Sequence, residues 1–153
     1  MSAWDVLNEP AIKAMLAQPY GRFSDAEFAR RRVALTTVLQ ANTCDAILVC
    51  GEQRSGSGPC WLTGWPTTTE ATVLFMPGEP DMMWVEHYNH VPNARTIAVG
   101  VDVRWAERKG AKLPAEEMRK RGLKRVGIMG PFSWTKAAAL AESFELVDLS
   151  RAK

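Results

Sequence analysis

Residues 45–86 read DAILVCGEQRSGSGPCWLTGWPTTTEATVLFMPGEPDMMWVE. The run DAILVC at 45–50 is short, apolar and closed by Gly51, the pattern of a strand buried on both faces. A Gly/Ser loop follows. Residues 60–63 (CWLT) then stop at Gly64 and Pro66, which predicts another strand. Residues 71–76 (ATVLFM) are rich in β-formers and stop at Pro77-Gly78, and residues 82–85 (MMWV) resume after the turn. These two predict a hairpin. Three or four strands in about forty residues make a sheet on which the rest of the chain must pack.

Upstream of that sheet, Ser24-Asp25-Ala26-Glu27 has the form of a capping box, with Phe23 and Phe28 placed as a hydrophobic staple. Phe28, Leu35, Val38 and Leu39 then fall on one helical face, and Arg30, Arg31 and Gln40 are read as lying away from it. The run Arg30-Arg31-Arg32 is accordingly expected to be a solvated face. The helix ends near Asn42. Residues 1–22 form a leader segment, in which Pro10 suits the first position of a helix over 11–18. Trp4, Leu7, Ile12 and Leu16 offer apolar contacts for this domain or for another chain.

Downstream, residues 86–93 are polar with poor periodicity, residues 95–99 predict a strand, and residues 100–112 are irregular and charged. Pro114, Glu116, Glu117, the basic residues 119–121 and Gly122 together predict a helix. Residues 124–129 predict a strand, Ser133 caps a helix over 134–144, and residues 145–149 predict the last strand. Strands joined through helices are parallel. The expected fold is therefore α/β: a three-layer α/β/α domain with a mixed sheet, an antiparallel meander first and parallel strands later.

A chain of 153 residues is long enough for one domain with a real core. Its formal charge of +2 is too small to argue for nucleic acid or an anionic membrane as partner. Cys44, Cys50 and Cys60 match no metal-site spacing and read as free thiols in a reducing compartment. There is no apolar run long enough to span a bilayer, and the N-terminus lacks the pattern of a signal peptide, so a cytoplasmic location is expected.

Catalytic signatures are weak. Glu86, His87 and His90 resemble a metal-binding triplet, but their spacing is not HExxH, and a loop or interface role is the simpler reading. Ser55-Gly56-Ser57-Gly58 lacks the Lys-Ser/Thr of a phosphate loop and is expected to run into Pro59 and a strand. No pair among Asp45, Glu52, Glu70, Glu86 and Asp148 can be placed for acid/base work. Residues 61–70 (WLTGWPTTTE) are more informative. A turn at Gly64 leaves an aromatic, a proline and three threonines at the mouth of a sheet, where a binding loop and a core-packed turn are both open readings.

The order of these motifs resembles the N-terminal domain of the creatinase/aminopeptidase P (Xaa-Pro peptidase) family. The helix before DAILVCG, the WLTGW turn, the ATVLFMPGEP hairpin, the KRVGIMG strand and the closing FELVDLS carry the resemblance over residues 23–150. It implies a ribonuclease H-like fold, with residues 151–153 beginning a linker to a catalytic domain that this chain does not contain. It also implies no cofactor here, a divalent metal pair (Mn, Co or Zn) in that absent domain, and a parent that is a metal-dependent Xaa-Pro peptidase or hydrolase. The chain alone is expected to be inactive. Its partners would be a second copy of itself and the C-terminal catalytic domain. The resemblance makes Trp61, Trp65, Thr67, Glu70, His87 and His90 candidate substrate contacts. The alternative is a stand-alone α/β module that binds a small ligand or a protein.

Overall fold

A computed structural model describes residues 9–17, 21–53 and 55–151. The elements are α1 (Pro10–Leu16), α2 (Asp25–Ala41), β1 (Ala46–Glu52), α3 (Gly58–Thr63), β2 (Glu70–Phe75), β3 (Asp81–Val85), α4 (Val91–Ile97), β4 (Val101–Trp105), α5 (Lys112–Lys120), β5 (Arg125–Met129), α6 (Trp134–Ala141) and β6 (Glu145–Asp148), with a 3-10 turn at Tyr88–His90. The six strands form one sheet in the order β4-β3-β2-β1-β5-β6. β2 is antiparallel to both β1 and β3. The pairs β3–β4, β1–β5 and β5–β6 are parallel. Five strands therefore point one way and β2 points the other.

The period of two along each strand divides the core. Ile47, Val49, Val73 and Met83 enter one layer with Leu35 and Leu39 of α2, Leu62 of α3 and Ala94 of α4. Ala46, Leu48, Leu74 and Met82 enter the other with Met118 of α5 and Leu140 of α6. Helices thus cover both faces, and the three-layer α/β/α reading with a mixed sheet holds. Close backbone approach fixes the join of β1 and β5. A Cβ on Gly130 (φ +95°) would lie 2.2 Å from the carbonyl oxygen of Cys50.

Two elements differ from the sequence reading. Residues 60–63 lie in a helix, not a strand. Pro59 occupies the first turn, where its missing N–H costs nothing, Thr63 Oγ1 donates to Pro59 O at 2.7 Å, and Gly64 (φ +80°) closes the helix in the left-handed conformation. Residues 95–97 likewise close helix α4 rather than open a strand, again with a proline in the first turn. The strand is Val101–Trp105, inside the segment read as irregular and charged. Asp102 is exposed while Val103 is buried, so this is an edge strand with one wet face.

The arginine run departs further from expectation. Arg31 is 4% exposed, because positions 28, 31 and 35 share one helical stripe. Its Nε donates to Glu27 and its Nη1 to the carbonyl oxygen of Trp61 at 2.6 Å, and its guanidinium lies 4.0 Å from the centroid of the Phe23 ring. Ser24 does cap α2 by accepting from the Glu27 N–H, and Phe23 meets Phe28 edge-on. The Glu27 carboxylate, however, pairs with Arg30 and Arg31 rather than completing a capping box. Those two guanidiniums hold it down to about 2. In the leader, α1 does start at Pro10; Trp4 and Leu7 lie outside the described residues.

Arg32 makes a longer clasp. It donates to Asp81 at the start of β3 and to the carbonyl oxygens of Val99 and Gly100 before β4. Asp81 is 2% exposed, and burial pushes its carboxyl up to about 6 although Arg32 pulls the other way. The folded chain therefore keeps a proton that an ordinary carboxyl near 3.8 has lost, and stability falls as pH climbs from 3.8 to about 6. Arg32→Met is expected to cost about 3 kcal/mol at pH 8, where it leaves a buried unpaired carboxylate. The loss at pH 5 should be smaller, because Asp81 is then protonated. Denaturant titration at the two pH values checks this, and equal losses would show that Arg32 does not act through Asp81. Leu35 is 3% exposed, so Leu35→Ala is expected to cost roughly 2–5 kcal/mol. A loss below about 0.5 kcal/mol would place that face in water.

Candidate functional site

Because β2 is reversed, the C-terminal ends of β1, β3, β4, β5 and β6 share one edge of the sheet with the start of β2. Open α/β sheets take ligands in the crevice outside such carboxyl ends. Here residues 64–69 and 86–90 meet at that edge. Thr63 sets the turn. Its hydroxyl accepts from the Trp65 N–H at 3.2 Å, and its carbonyl oxygen accepts from the Val99 N–H at 2.8 Å.

Trp65 is 5% exposed, with its ring centroid 6.3 Å from that of His90. His87 also meets His90 edge-on, at 5.3 Å between centroids. His90 Nδ1 lies 3.0 Å from Thr68 Oγ1, and the tautomer decides which of them donates. The hydroxyls of Thr67 and Thr69 are buried, and no described residue partners them. Thr67 also borders a groove of about 430 Å³ with Glu52, Ser55, Ser57 and Cys60. Four of the candidates, Trp65, Thr67, His87 and His90, therefore belong to the two loops that meet at this edge.

The other two point elsewhere. Trp61 sits on α3, held to α2 through Arg31, whose guanidinium is 5.5 Å from the indole centroid. Glu70 faces the opposite side of the sheet, where Lys136 of α6 donates to it at 2.5 Å. Sequence reasoning missed Thr68, which reaches His90, and also the exposed pair Tyr88 and Trp105, whose rings meet at 5.3 Å. Trp105 Nε1 donates to Glu86 O at 3.1 Å and so fixes the indole. Trp105 fell in the segment read as irregular, so no strand end was assigned to carry it.

The ionisable groups in the two loops that meet at this edge are few. Among the described residues no three His, Cys, Asp or Glu side chains are grouped to hold a metal ion, so the triplet Glu86, His87 and His90 does not assemble one. The divalent metal pair, which the resemblance places in a separate C-terminal domain, finds no ligand set among the described residues. Burial pushes the Cys50 thiol up to about 12 and also raises Cys44, away from the thiolate needed for attack. Backbone amides of Arg125 and Lys124 hold the Asp45 carboxyl down. Asp81, the carboxyl raised by burial, lies at the far end of β3.

The model of the Creatinase/Prolidase N-terminal domain family matches residues 31–152. No curated protein matches the sequence. Among solved structures, an XXA-pro aminopeptidase from Streptococcus pyogenes superposes with a TM-score of 0.68 at 17% identity, over 82% of this chain and 93% of that one. The N-terminal domain of the cytoplasmic peptidase PepQ from Mycobacterium tuberculosis does so with 0.65 at 19%, over 78% and 92%. An Xaa-Pro dipeptidase from Bacillus anthracis matches with 0.65 at 15%, over 79% of this chain but only 33% of its own length. The chain thus spans about a third of that dipeptidase, and identities this low show a shared fold. With four-fifths of its sequence matched and its sheet and layers shared, the chain belongs to the creatinase/prolidase N-terminal domain family.

Proposed function

We propose that this chain works as the non-catalytic N-terminal domain of a cytoplasmic creatinase/Xaa-Pro peptidase-like metallohydrolase. In this reading it builds the homo-oligomer and walls the substrate entrance of a neighbouring subunit. A C-terminal catalytic domain supplies the divalent metal pair and the hydrolysis. The observation that carries the reading is the meeting of residues 64–69 and 86–90 at one sheet edge, where the Trp65 and His87 rings each pack against His90 and Thr68 hydrogen-bonds His90. Such a surface offers hydroxyls and imidazoles for holding a small peptide. Thr67 contributes a buried hydroxyl that no described residue engages.

A second reading has its own support. The groove beside Thr67, with Glu52, Ser55 and Ser57 in its lining, suits a stand-alone module that binds a small ligand. The genomic frame separates the two. The first reading expects it to continue past Lys153 into a domain with Asp, His and Glu ligands, and the second expects a stop. On the first reading, the isolated chain will not cleave an Xaa-Pro dipeptide with Mn, Co or Zn added. In the longer protein, His90→Ala should raise KM about tenfold and leave kcat nearly unchanged, as for a residue that binds substrate without joining the chemistry. Cleavage by the isolated chain, or an unmoved KM in the variant, would defeat the proposal.

A further inference from the structure

Helix α5 sorts its charges to two sides. Lys112, Ala115 and Arg119 share one stripe and line a groove of about 530 Å³ against α6, while Glu116, Glu117 and Lys120 line another groove on the far side of the helix. The α5–α6 groove holds five cations, Arg108, Lys109, Lys112, Arg119 and Lys136, against one carboxylate, Glu142. Both helices start at the carboxyl edge of the sheet, α5 after β4 and α6 after β5. Arg119 and Glu142 therefore balance each other's charge at the far end of the groove. At the near end Lys109 pairs with Glu107, and Lys136 pairs with Glu70. Arg108 and Lys112 are exposed, and none of the ion pairs among the described residues uses them. Two positive charges are thus left at that end, as many as the formal charge of the whole chain. The loop over 106–111 meets α6 there, since a Cβ on Gly110 would lie 3.5 Å from Lys136 Cε. Thr135 adds a hydroxyl to the same end, and Ala111, Ala115 and Ala139 keep the lining between the charged groups shallow.

We propose that the α5–α6 groove binds a small phosphate ester, with its phosphoryl group at the Arg108 and Lys112 end. A cleft lined by one sign of charge over low-dielectric walls draws in the opposite sign. The two uncompensated charges match a phosphate monoester, which carries about −1.5 to −2 near pH 7. A carboxylate, with a single charge, would leave one cation unmatched. Arg108 comes from the loop after β4 and Lys112 from the first turn of α5, so the phosphoryl oxygens are met from two elements. The Arg108 guanidinium can bond two of those oxygens at once, and the Lys112 ammonium supplies a point charge. The short side chains of Ala115 and Ala139 leave room for the organic part of the ester along the groove. Trp65 packs in one layer of the core and Ala115 and Leu140 in the other, so this groove lies across the sheet from residues 64–69.

Calorimetric titration of the 153-residue chain with phenyl phosphate at constant ionic strength tests the assignment. One saturable site per chain is expected, and inorganic phosphate should compete for it. Arg108→Gln and Lys112→Gln should each weaken binding about tenfold or more, the loss expected when a charged partner is removed. Lys120→Gln removes the same charge from the other side of α5 and should leave binding unchanged. All three residues are exposed, and an unchanged Tm shows that each variant keeps the fold. No saturable binding would overturn the proposal, and so would equal weakening by all three substitutions, which would mean attraction to net charge alone. Saturable binding of an oligoglutamate peptide with none of phenyl phosphate would give the groove to an acidic polypeptide and overturn it too. These outcomes are read on the 153-residue chain by itself, so they stand or fall apart from the reading of that chain as an N-terminal domain.

Discussion

The backbone of β1 is hydrogen-bonded on both edges, antiparallel to β2 and parallel to β5, while Ala46 to Cys50 are buried on both faces. That double occupation is what the rest of the sheet is built on. It joins the hairpin half to the parallel half and divides the core into two layers. A strand so placed must be apolar at every position, and AILVC is. Asp45, one residue before it, accepts from the Lys124 and Arg125 N–H groups and so sets where β5 begins.

From that centre the reversal of β2 has a functional consequence. It returns the chain to the edge where the parallel strands end, so that residues 64–69 start β2 beside the loop that leaves β3. The candidate surface needs two loops distant in sequence, and one reversed strand brings them together. Arg31 and Arg32 support this from beneath. The first ties α2 to the α3 turn and the second ties α2 to the start of β3 and the entry to β4. Both use the planar guanidinium to span several acceptors at once, which a lysine cannot do.

Most of the layers could be read from the chain because periodicity and capping agree there. Ser24, Ser133 and the strands around β1 fall where local pattern and burial give one answer. The misread pieces are those where two rules compete. CWLT is apolar enough for a strand, yet Pro59 and Gly64 bracket it as a helix. Val101 to Trp105 is charged enough for a loop, yet it is an edge strand wet on one face. Arg31 sat on the buried stripe by spacing, but its charge argued for water until Glu27 and Trp61 O were seen to satisfy it. For the site, the threonines and histidines were legible as polar groups in turns. Their meeting was not, because Thr68 and His90 are brought together by sheet order alone.

The contact of Gly130 with the Cys50 carbonyl bears on where this chain can tolerate change. Loops at the open edge may lengthen or change freely as long as they leave the two central strands touching. At the seam itself a single added methyl would force the backbones apart. Tolerated change is thus steered outward, onto the rim. At Gly130 the seam has no room for a side chain, so a substitution there disturbs the platform that carries the rim loops.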